Sequence, residues 1–295
     1  MNSRYPSIYI SPHIDDVVFS CGGTLWKQQQ KDKCLLIDVF CESRKTTPQR
    51  LKEEEAARRF FGYDSHLFKL PDSAARDPLL GELPHRKHRF LKRKDFLWVE
   101  RVRGLISDFI KNIGYEKIYF PLAVGMHVDH EICFQASLEQ FPRTKIFYYE
   151  DIPYALLPGL LETRLFFLTG KLLPVSGRRQ VMPLEDELKL IREYVLEIPP
   201  CSRISSNLLK RLFSIFIYAF FKHRLRQVTQ RARSVPFRLI SECSEVGDVL
   251  EKKAKGMLTY RTQWPYFFDS EESMTRRLKE EGTNRFIERF WRWEV

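Results

Sequence analysis

The 295-residue sequence lacks several features that would assign it to a secreted, membrane-spanning or zinc-ribbon class. Its six cysteines form no Cys-x-x-Cys pair, which argues against a zinc ribbon and a dithiol redox site. The longest apolar run, residues 212–221, has about half the length that a bilayer-spanning helix needs. No long apolar stretch of the signal-peptide kind stands near residue 1. We therefore expect a soluble, cytoplasmic protein with reduced thiols.

Acidic residues are missing from two segments, and these segments account for the positive net charge. The chain has 49 Lys and Arg against 38 Asp and Glu, a net charge of +11. Residues 198–241 hold nine basic residues, residues 83–94 hold six, and neither segment has an acid. The remainder is mildly acidic, with 34 basic and 38 acidic residues. The total charge therefore does not by itself predict nucleic-acid binding, and we expect none.

Short β-rich runs alternate with helical patterns through the first half, as is typical of a parallel sheet with crossover helices. The predicted strands are Ser7–Ser11, Cys34–Cys41, Leu67–Leu70, Lys117–Leu122 and Lys145–Tyr149. The predicted helices are residues 21–33 (entered through a Gly-Gly pair), Pro48–Gly62, Phe96–Asn112 and Asp129–Gln140. The pattern predicts an α/β, Rossmann-like, mostly parallel sheet flanked by helices, with a helical, basic C-terminal elaboration. We expect one domain over residues 1–295, with a basic amphipathic insertion at about 198–241.

Two clusters of histidine and aspartate follow predicted strands: His13, Asp15 and Asp16 after the first, and His127, Asp129 and His130 after the fourth. Ligands of doubly wound sheets bind beyond the carboxyl ends of the strands. An open catalytic zinc site has three protein ligands and a water. Each cluster alone is also compatible with a turn or a helix cap. Their joint occurrence favours a site for a divalent metal ion.

Four segments resemble, in order along the chain, the motifs of the LmbE/PIG-L-like N-deacetylases. SPHIDDVVFSCGGTL (11–25) is similar to the opening HPDDE-type motif with its GCGGT segment, and PLAVGMHVDH (121–130) to the second, HxDH motif. RLKEEEAARRFFG (50–62) and KKAKGMLTYRTQW (252–264) resemble the family's Arg- and Glu-containing helix and its C-terminal segment. Ile14 stands where the family usually has Pro, and Val17 where it commonly has Glu, a carboxylate near the metal.

The resemblance implies a metal-dependent hydrolase that removes the acetyl group from an N-acetylated amino sugar through zinc-activated water. The implied zinc ligands are His13, Asp16 and His130. Asp15 falls on the family's general base, and His127 on the residue that stabilises the oxyanion and protonates the leaving amine, with Asp129 orienting its ring. One Zn²⁺ is expected; Fe²⁺ is an alternative, because two histidines and a carboxylate suit several divalent ions.

Four further positions resemble substrate-contact residues of the family: Glu42, Arg50, Asp72 and Arg76. Carboxylates suit sugar hydroxyls, and guanidinium groups suit a phosphate or carboxylate. Helix capping and surface charge are an alternative explanation of Glu42 and Arg50.

The aromatic run at 147–155 raises a similar question, because aromatic residues stack on sugars but more often fill a core. We expect Phe147 in the core, and Tyr149, Glu150 and Asp151 are candidates for the rim of the site.

Residues 207–226 combine a bulky apolar stretch with flanking basic residues. A membrane-interface helix and a buried helix with basic ends explain this pattern equally well. The first would place the protein at the inner face of a membrane, which suits an acetamido-sugar carried on a phosphate or a lipid. Two alternative functions stay open: amidase action on another acylated amine, and a non-catalytic membrane- or phosphate-binding protein with a vestigial metal site.

Overall fold

The computed structural model describes residues 4–42, 47–77, 89–156, 160–170, 212, 238–268, 270–278 and 285–294. The amphipathic segment 207–226 lies outside the described residues except for Leu212, and so does the predicted insertion at about 198–241 except for Leu212 and residues 238–241.

The described residues form one seven-stranded sheet with the order β3-β2-β1-β4-β5-β7-β6. Its strands are β1 (Ser7–Ser11), β2 (Cys34–Asp38), β3 (Asp64–Leu67), β4 (Lys117–Pro121), β5 (Ile146–Tyr149), β6 (Leu239–Glu245) and β7 (Ile287–Trp293). Strands β1 to β5 are mutually parallel, whereas β7 runs antiparallel to both β5 and β6. The predicted mostly parallel α/β architecture is therefore confirmed.

Helices flank this sheet: α1 (Asp16–Gln29), α2 (Thr47–Phe61), α3 (Ser73–Arg76), α4 (Phe96–Ile110), α5 (Val128–Ala136), α6 (Leu160–Thr169), α7 (Leu250–Leu258) and α8 (Glu271–Leu278). Alternate side chains of β1 enter different apolar clusters, Ile8 and Ile10 with α4 and Tyr9 with α1. Because successive strand residues point to opposite faces, each face of the sheet carries its own core. None of the described helices combines the length and the hydropathy needed to cross a membrane.

The described C-terminal part contains strands β6 and β7 as well as helices, and these strands were not predicted. Glu288 of β7 is buried, and its carboxylate accepts the backbone N–H groups of Gly23 (2.9 Å) and Thr24 (2.7 Å) in α1. Lys253 of α7 pairs with the same carboxylate at 2.7 Å. The last strand is therefore fixed to the first helix by a buried network, in addition to its sheet hydrogen bonds.

The Gly-Gly pair lies in the middle of α1 rather than at its start, which corrects the predicted entry into this helix. A Cβ on Gly23 would lie 2.7 Å from the Cβ of Val246, and one on Gly256 of α7 would lie 2.3 Å from the Phe61 ring. These distances are shorter than van der Waals contact, so both positions need glycine for close packing of the elements. Since α1 begins at Asp16, the acidic pair of the first motif stands at the N-terminus of the helix.

The basic segment 83–94 is described only from Arg89 onward. Arg89 is buried and forms a bidentate pair with Asp95 at 2.6 and 3.0 Å, so it does not belong to an exposed basic patch. Lys92, Arg93 and Lys94 are exposed. Of the four described basic residues in this segment, three therefore lie on the surface.

Candidate metal centre and active site

The two histidine–aspartate clusters meet because β1 and β4 are parallel neighbours and both end at the same edge of the sheet. His13 follows β1, and Asp16 begins α1. His127 is the N-cap of α5, and His130 lies in its first turn. The sequence prediction that the carboxyl ends of separate strands bring these residues together agrees with this placement.

The turn between β4 and α5 has an unusual backbone that positions the second cluster. Ala123, Gly125 and Met126 have positive φ angles of 61°, 76° and 58°. A Cβ on Gly125 would lie 3.1 Å from the ring of Tyr154, so both the backbone angle and the space favour glycine there. Strained turns of this kind are common at functional sites. This one presents His127 at the helix start.

The predicted metal ligands present their donor atoms to one another. Asp16 Oδ2 lies 3.1 Å from His13 Nδ1 and 3.3 Å from His130 Nε2. Ligand atoms of tetrahedral zinc, each about 2.0–2.1 Å from the ion, are about 3.3 Å apart. Nitrogen atoms of His13, His127 and His130 also lie within 4.8 Å of one another. This donor set therefore fits a divalent ion.

Asp151 orients His130, a contact that the sequence did not reveal. Its Oδ1 lies 2.6 Å from His130 Nδ1, and its Oδ2 accepts the backbone N–H of Val124 at 2.9 Å. A hydrogen bond from Nδ1–H to Asp151 leaves His130 Nε2, the nitrogen that faces Asp16, free to bind a metal. Asp151 is fully buried, so its expected position at the rim of the site is wrong.

The neighbouring rim candidates are also buried. The hydroxyl of Tyr149 donates to the carbonyl of Ile10 at 2.9 Å, and the carboxylate of Glu150 accepts from Trp291 Nε1 at 3.0 Å. Phe147 lies in the core, as expected. These side chains are covered because β7 pairs with β5, an arrangement that the sequence had not indicated.

Asp15 and Asp16 are adjacent but have different partners. Arg50 of α2 donates to Asp15 Oδ1 at 2.8 Å, and both side chains are buried. Burial raises the pKa of Asp15, while the charge of Arg50 acts in the opposite direction. Arg50, predicted to contact substrate, is therefore placed on the candidate general base. Asp16 is the carboxylate that faces the histidines.

Asp129 contacts His13 more closely than His127, the residue that it was expected to orient. Its Oδ2 lies 3.0 Å from His13 Nε2, 2.9 Å from the backbone N of Ser73 and 4.0 Å from His127 Nδ1. Burial acts to raise the pKa of Asp129, but Arg76 and His13 hold it well below its usual range. The backbone N–H of Asp129 donates to His127 Nδ1 at 3.3 Å. The main chain thus provides a hydrogen bond to His127 Nδ1.

Glu42 and Asp72 lie side by side beyond the ends of β2 and β3. The backbone N–H of Asp72 donates to the carbonyl of Glu42 at 2.8 Å, and Glu42 itself is exposed. The Asp72 carboxylate accepts the N–H of Ala75 at 2.7 Å and caps α3. Both residues stand at the edge of the sheet that carries the metal cluster.

Two of the motif segments, 50–62 and 252–264, contact each other through hydrogen bonds. The sequence signals this contact only in that one segment carries carboxylates and the other carries hydroxyl groups. Thr262 donates through its N–H and hydroxyl to the two carboxylate oxygens of Glu53, at 2.9 and 2.6 Å. Tyr260 donates to the neighbouring Glu54 at 2.7 Å. These bonds fix α2 against the segment that follows α7. Because α2 also carries Arg50, they position the partner of Asp15.

Glu54 gives a prediction about stability and pH. Burial raises its pKa to about 8, although Tyr260 and Tyr63 donate to its oxygens. The folded chain therefore binds this proton more tightly than the unfolded chain, and Glu54 destabilises the fold as the pH rises from about 4.5 through about 8. We expect Glu54→Gln to flatten the pH dependence of the free energy of unfolding in this window, as measured by urea denaturation.

Glu55→Gln is the matched control on the same helix, because Glu55 is only partly buried and pairs with Arg58 and Arg59. Those arginines lower the pKa of Glu55, so its substitution should leave the slope above pH 4.5 unchanged. Equal slopes for wild type and Glu54→Gln would contradict the prediction.

Together, the fold and the site define an α/β protein with a candidate metal centre at the carboxyl ends of its central parallel strands. Residues 8–141 match the family model described as PIG-L: GlcNAc-PI de-N-acetylase. The match includes three of the four motif segments and confirms the resemblance seen in them.

A deacetylase relative matches part of the chain. A 2'-N-acetylparomamine deacetylase of Streptomyces fradiae is 29% identical over 167 residues, which cover 52% of this chain and 58% of that protein. The match therefore spans less than two thirds of the length of this relative.

Several solved structures share this fold. A deacetylase–bog complex from the teicoplanin biosynthesis pathway has a TM-score of 0.62 at 18% identity, covering 98% of this chain and 97% of that one. The zinc-inhibited form of teicoplanin deacetylase gives 0.61 at 18%, with coverages of 98% and 97%. The A40926 pseudoaglycone deacetylase gives 0.59 at 17%, with coverages of 99% and 100%.

Proposed function

We propose that this protein is a metal-dependent hydrolase that removes the acetyl group from an N-acetylated amino sugar. The observation that carries the proposal is the division of roles between adjacent carboxylates. Asp16 faces two histidine nitrogens, while Asp15 is held separately by Arg50. A ligand and a base side by side are what hydrolysis of an unactivated amide requires. The family match and the deacetylase relative support this proposal.

His13, Asp16 and His130 would hold the ion, with Zn²⁺ as the expected metal and Fe²⁺ as the alternative. Such an ion, when bound, polarises a carbonyl group and acidifies water. The protein supplies the orientation of the ligands. The hydrogen bonds of Asp151 and Asp129 to the outer nitrogens of His130 and His13 direct their other nitrogens toward Asp16.

Proton transfer is assigned to Asp15 and His127. The ion pair with Arg50 fixes the Asp15 carboxylate, which accepts a proton from water. His127 Nδ1 accepts the backbone N–H of Asp129, so the proton of the neutral ring lies on Nε2. That nitrogen is the one able to donate to the leaving amine. Asp129 thus acts on His127 through its main chain in this mechanism.

Glu42 and Asp72 are the proposed contacts to sugar hydroxyls. Both lie at the same edge of the sheet as the metal cluster, beyond β2 and β3. A phosphate- or lipid-linked sugar, a cytoplasmic location and membrane contact through residues 207–226 stay predictions.

Acetate release from a panel of compounds tests the function. The panel contains free, phosphate-linked and lipid-linked acetamido sugars, together with acylated amines that are not sugars. We expect acetate from at least one acetamido sugar, loss of this release with a chelator, and recovery with Zn²⁺. Release only from the other amines would favour the amidase alternative. No release from any compound, together with no bound metal, would contradict the proposal and favour a vestigial site.

A further inference from the structure

Arg76 is held away from a ligand, because both terminal nitrogens and the carbon of its guanidinium group contact the protein. One nitrogen donates to the carbonyl of Pro71 at 2.9 Å, and another pairs with Asp129 Oδ1. The guanidinium carbon lies 4.6 Å from the centre of the Phe40 ring and 4.8 Å from that of Trp98. Two aromatic faces and two oxygen acceptors therefore fix this side chain in one position.

The contact with Asp129 connects Arg76 to the metal cluster. Asp129 is fully buried, and a buried carboxylate needs a compensating charge to stay ionised. Arg76 provides that charge at Oδ1, while Oδ2 accepts from Ser73 N and faces His13 Nε2 at 3.0 Å. Arg76, Asp129 and His13 thus form a continuous chain of polar contacts.

We propose that Arg76 is a positioning residue of the metal centre rather than a substrate contact. By fixing Asp129, it holds the His13 ring with Nε2 toward Asp129 and Nδ1 toward Asp16 Oδ2. A half-turn of the ring about its Cβ–Cγ bond would instead place carbon atoms opposite both carboxylates. The hydrogen bond to a fixed carboxylate selects the orientation in which Nδ1 is available as a ligand. This inference rests on the proposed metal centre and extends it by one residue.

Direct titration of the metal-free protein with Zn²⁺ tests the inference without using activity. Loss of an outer partner of a ligating histidine typically weakens metal binding about 10–100-fold, and we expect a loss of that size for Arg76→Gln. Arg76→Lys keeps the charge but not the planar fork, so its affinity should fall between those of wild type and Arg76→Gln. It also serves as a second variant if Arg76→Gln does not fold.

Arg101→Gln is the matched control. Its guanidinium carbon lies 5.2 Å from the centre of the Trp98 ring, which Arg76 also contacts. Arg101 is exposed, however, and none of the described contacts joins it to Asp129. We expect wild-type Zn²⁺ affinity for this variant.

The opposite pattern would overturn the inference. Unchanged Zn²⁺ affinity in Arg76→Gln, with a raised KM for acetamido sugars, would assign Arg76 to the substrate. A wild-type protein that binds no divalent ion would overturn it as well. Acetate release by the wild type decides the proposed function separately, since metal affinity is measured without a substrate.

Discussion

Replacing Asp15 with asparagine is expected to lower the rate of acetate release by about 10²–10⁴-fold, the usual contribution of a general base. Asparagine keeps an oxygen for the hydrogen bond from Arg50, which lies 2.8 Å from Asp15 Oδ1, but it cannot take up a proton from water. Because no hydrogen bond among those described joins Asp15 to the histidines, the variant should bind metal as the wild type does. The measurement is the initial rate of acetate release at saturating metal, with metal content determined in parallel.

Asp248→Asn is a suitable control for this substitution, because Asp248 is an exposed acid that pairs with Lys27 at 2.6 Å. It should retain the wild-type rate. An Asp15→Asn protein that is folded, metal-loaded and fully active would remove Asp15 from the mechanism.

Replacing Asp16 with asparagine should instead abolish metal binding at stoichiometric concentrations. One Asp16 oxygen lies 3.1 Å from His13 Nδ1 and 3.3 Å from His130 Nε2. The negative charge of Asp16 therefore lies next to both histidine ligands. A neutral amide is a poor ligand for a divalent ion, and the loss should exceed the about 10–100-fold expected for an outer partner. Isothermal titration with Zn²⁺ measures this loss.

Excess metal distinguishes the two aspartate variants. Activity of Asp16→Asn should recover in part as the Zn²⁺ concentration rises, because its defect is one of occupancy. Activity of Asp15→Asn should not respond, because its defect is one of proton transfer. Identical responses of the two variants would contradict the assignment of separate roles to these neighbours.

The sequence predicted the centre of the sheet better than its edges. Strand β1 was predicted with its observed bounds, and β4 and β5 to within one residue, because they are buried apolar runs flanked by turn signals. Strand β3 was expected at Leu67–Leu70 but lies at Asp64–Leu67, where every residue is only partly buried. An edge strand with polar residues has a weak hydrophobic signal. The apolar residues that follow β3 have a stronger signal, so the strand was predicted three residues too far toward the C-terminus.

Strands β6 and β7 escaped prediction for a different reason. Strand β7 carries Glu288 and Arg289 in buried positions, so its pattern does not resemble a core strand. Their charges are balanced by Lys253 and Glu150, which are distant in sequence. Only the folded structure brings such partners together. Asp151 likewise lies inside the protein, where its carboxylate contacts His130 and the backbone N–H of Val124.

The metal cluster itself was predictable, because its ligands stand in two short motifs that follow strands. The residues that orient these ligands and the candidate base were not predicted in that role. Asp151 and Arg76 lie outside the two motifs, and Arg50 belongs to a third segment, so their contacts depend on how separate elements pack. Sequence analysis assigned Arg50 and Arg76 to the substrate because a guanidinium group suits an anion. In the structure the anions that they bind are Asp15 and Asp129.

The most direct test of the account is a titration of metal-free protein with Zn²⁺ in which acetate release from an acetamido sugar is followed at each step. We expect no release without metal, a rise that is complete at one ion per chain, and no such rise in Asp16→Asn at the same concentrations. Full release by protein shown to be free of divalent ions would contradict it.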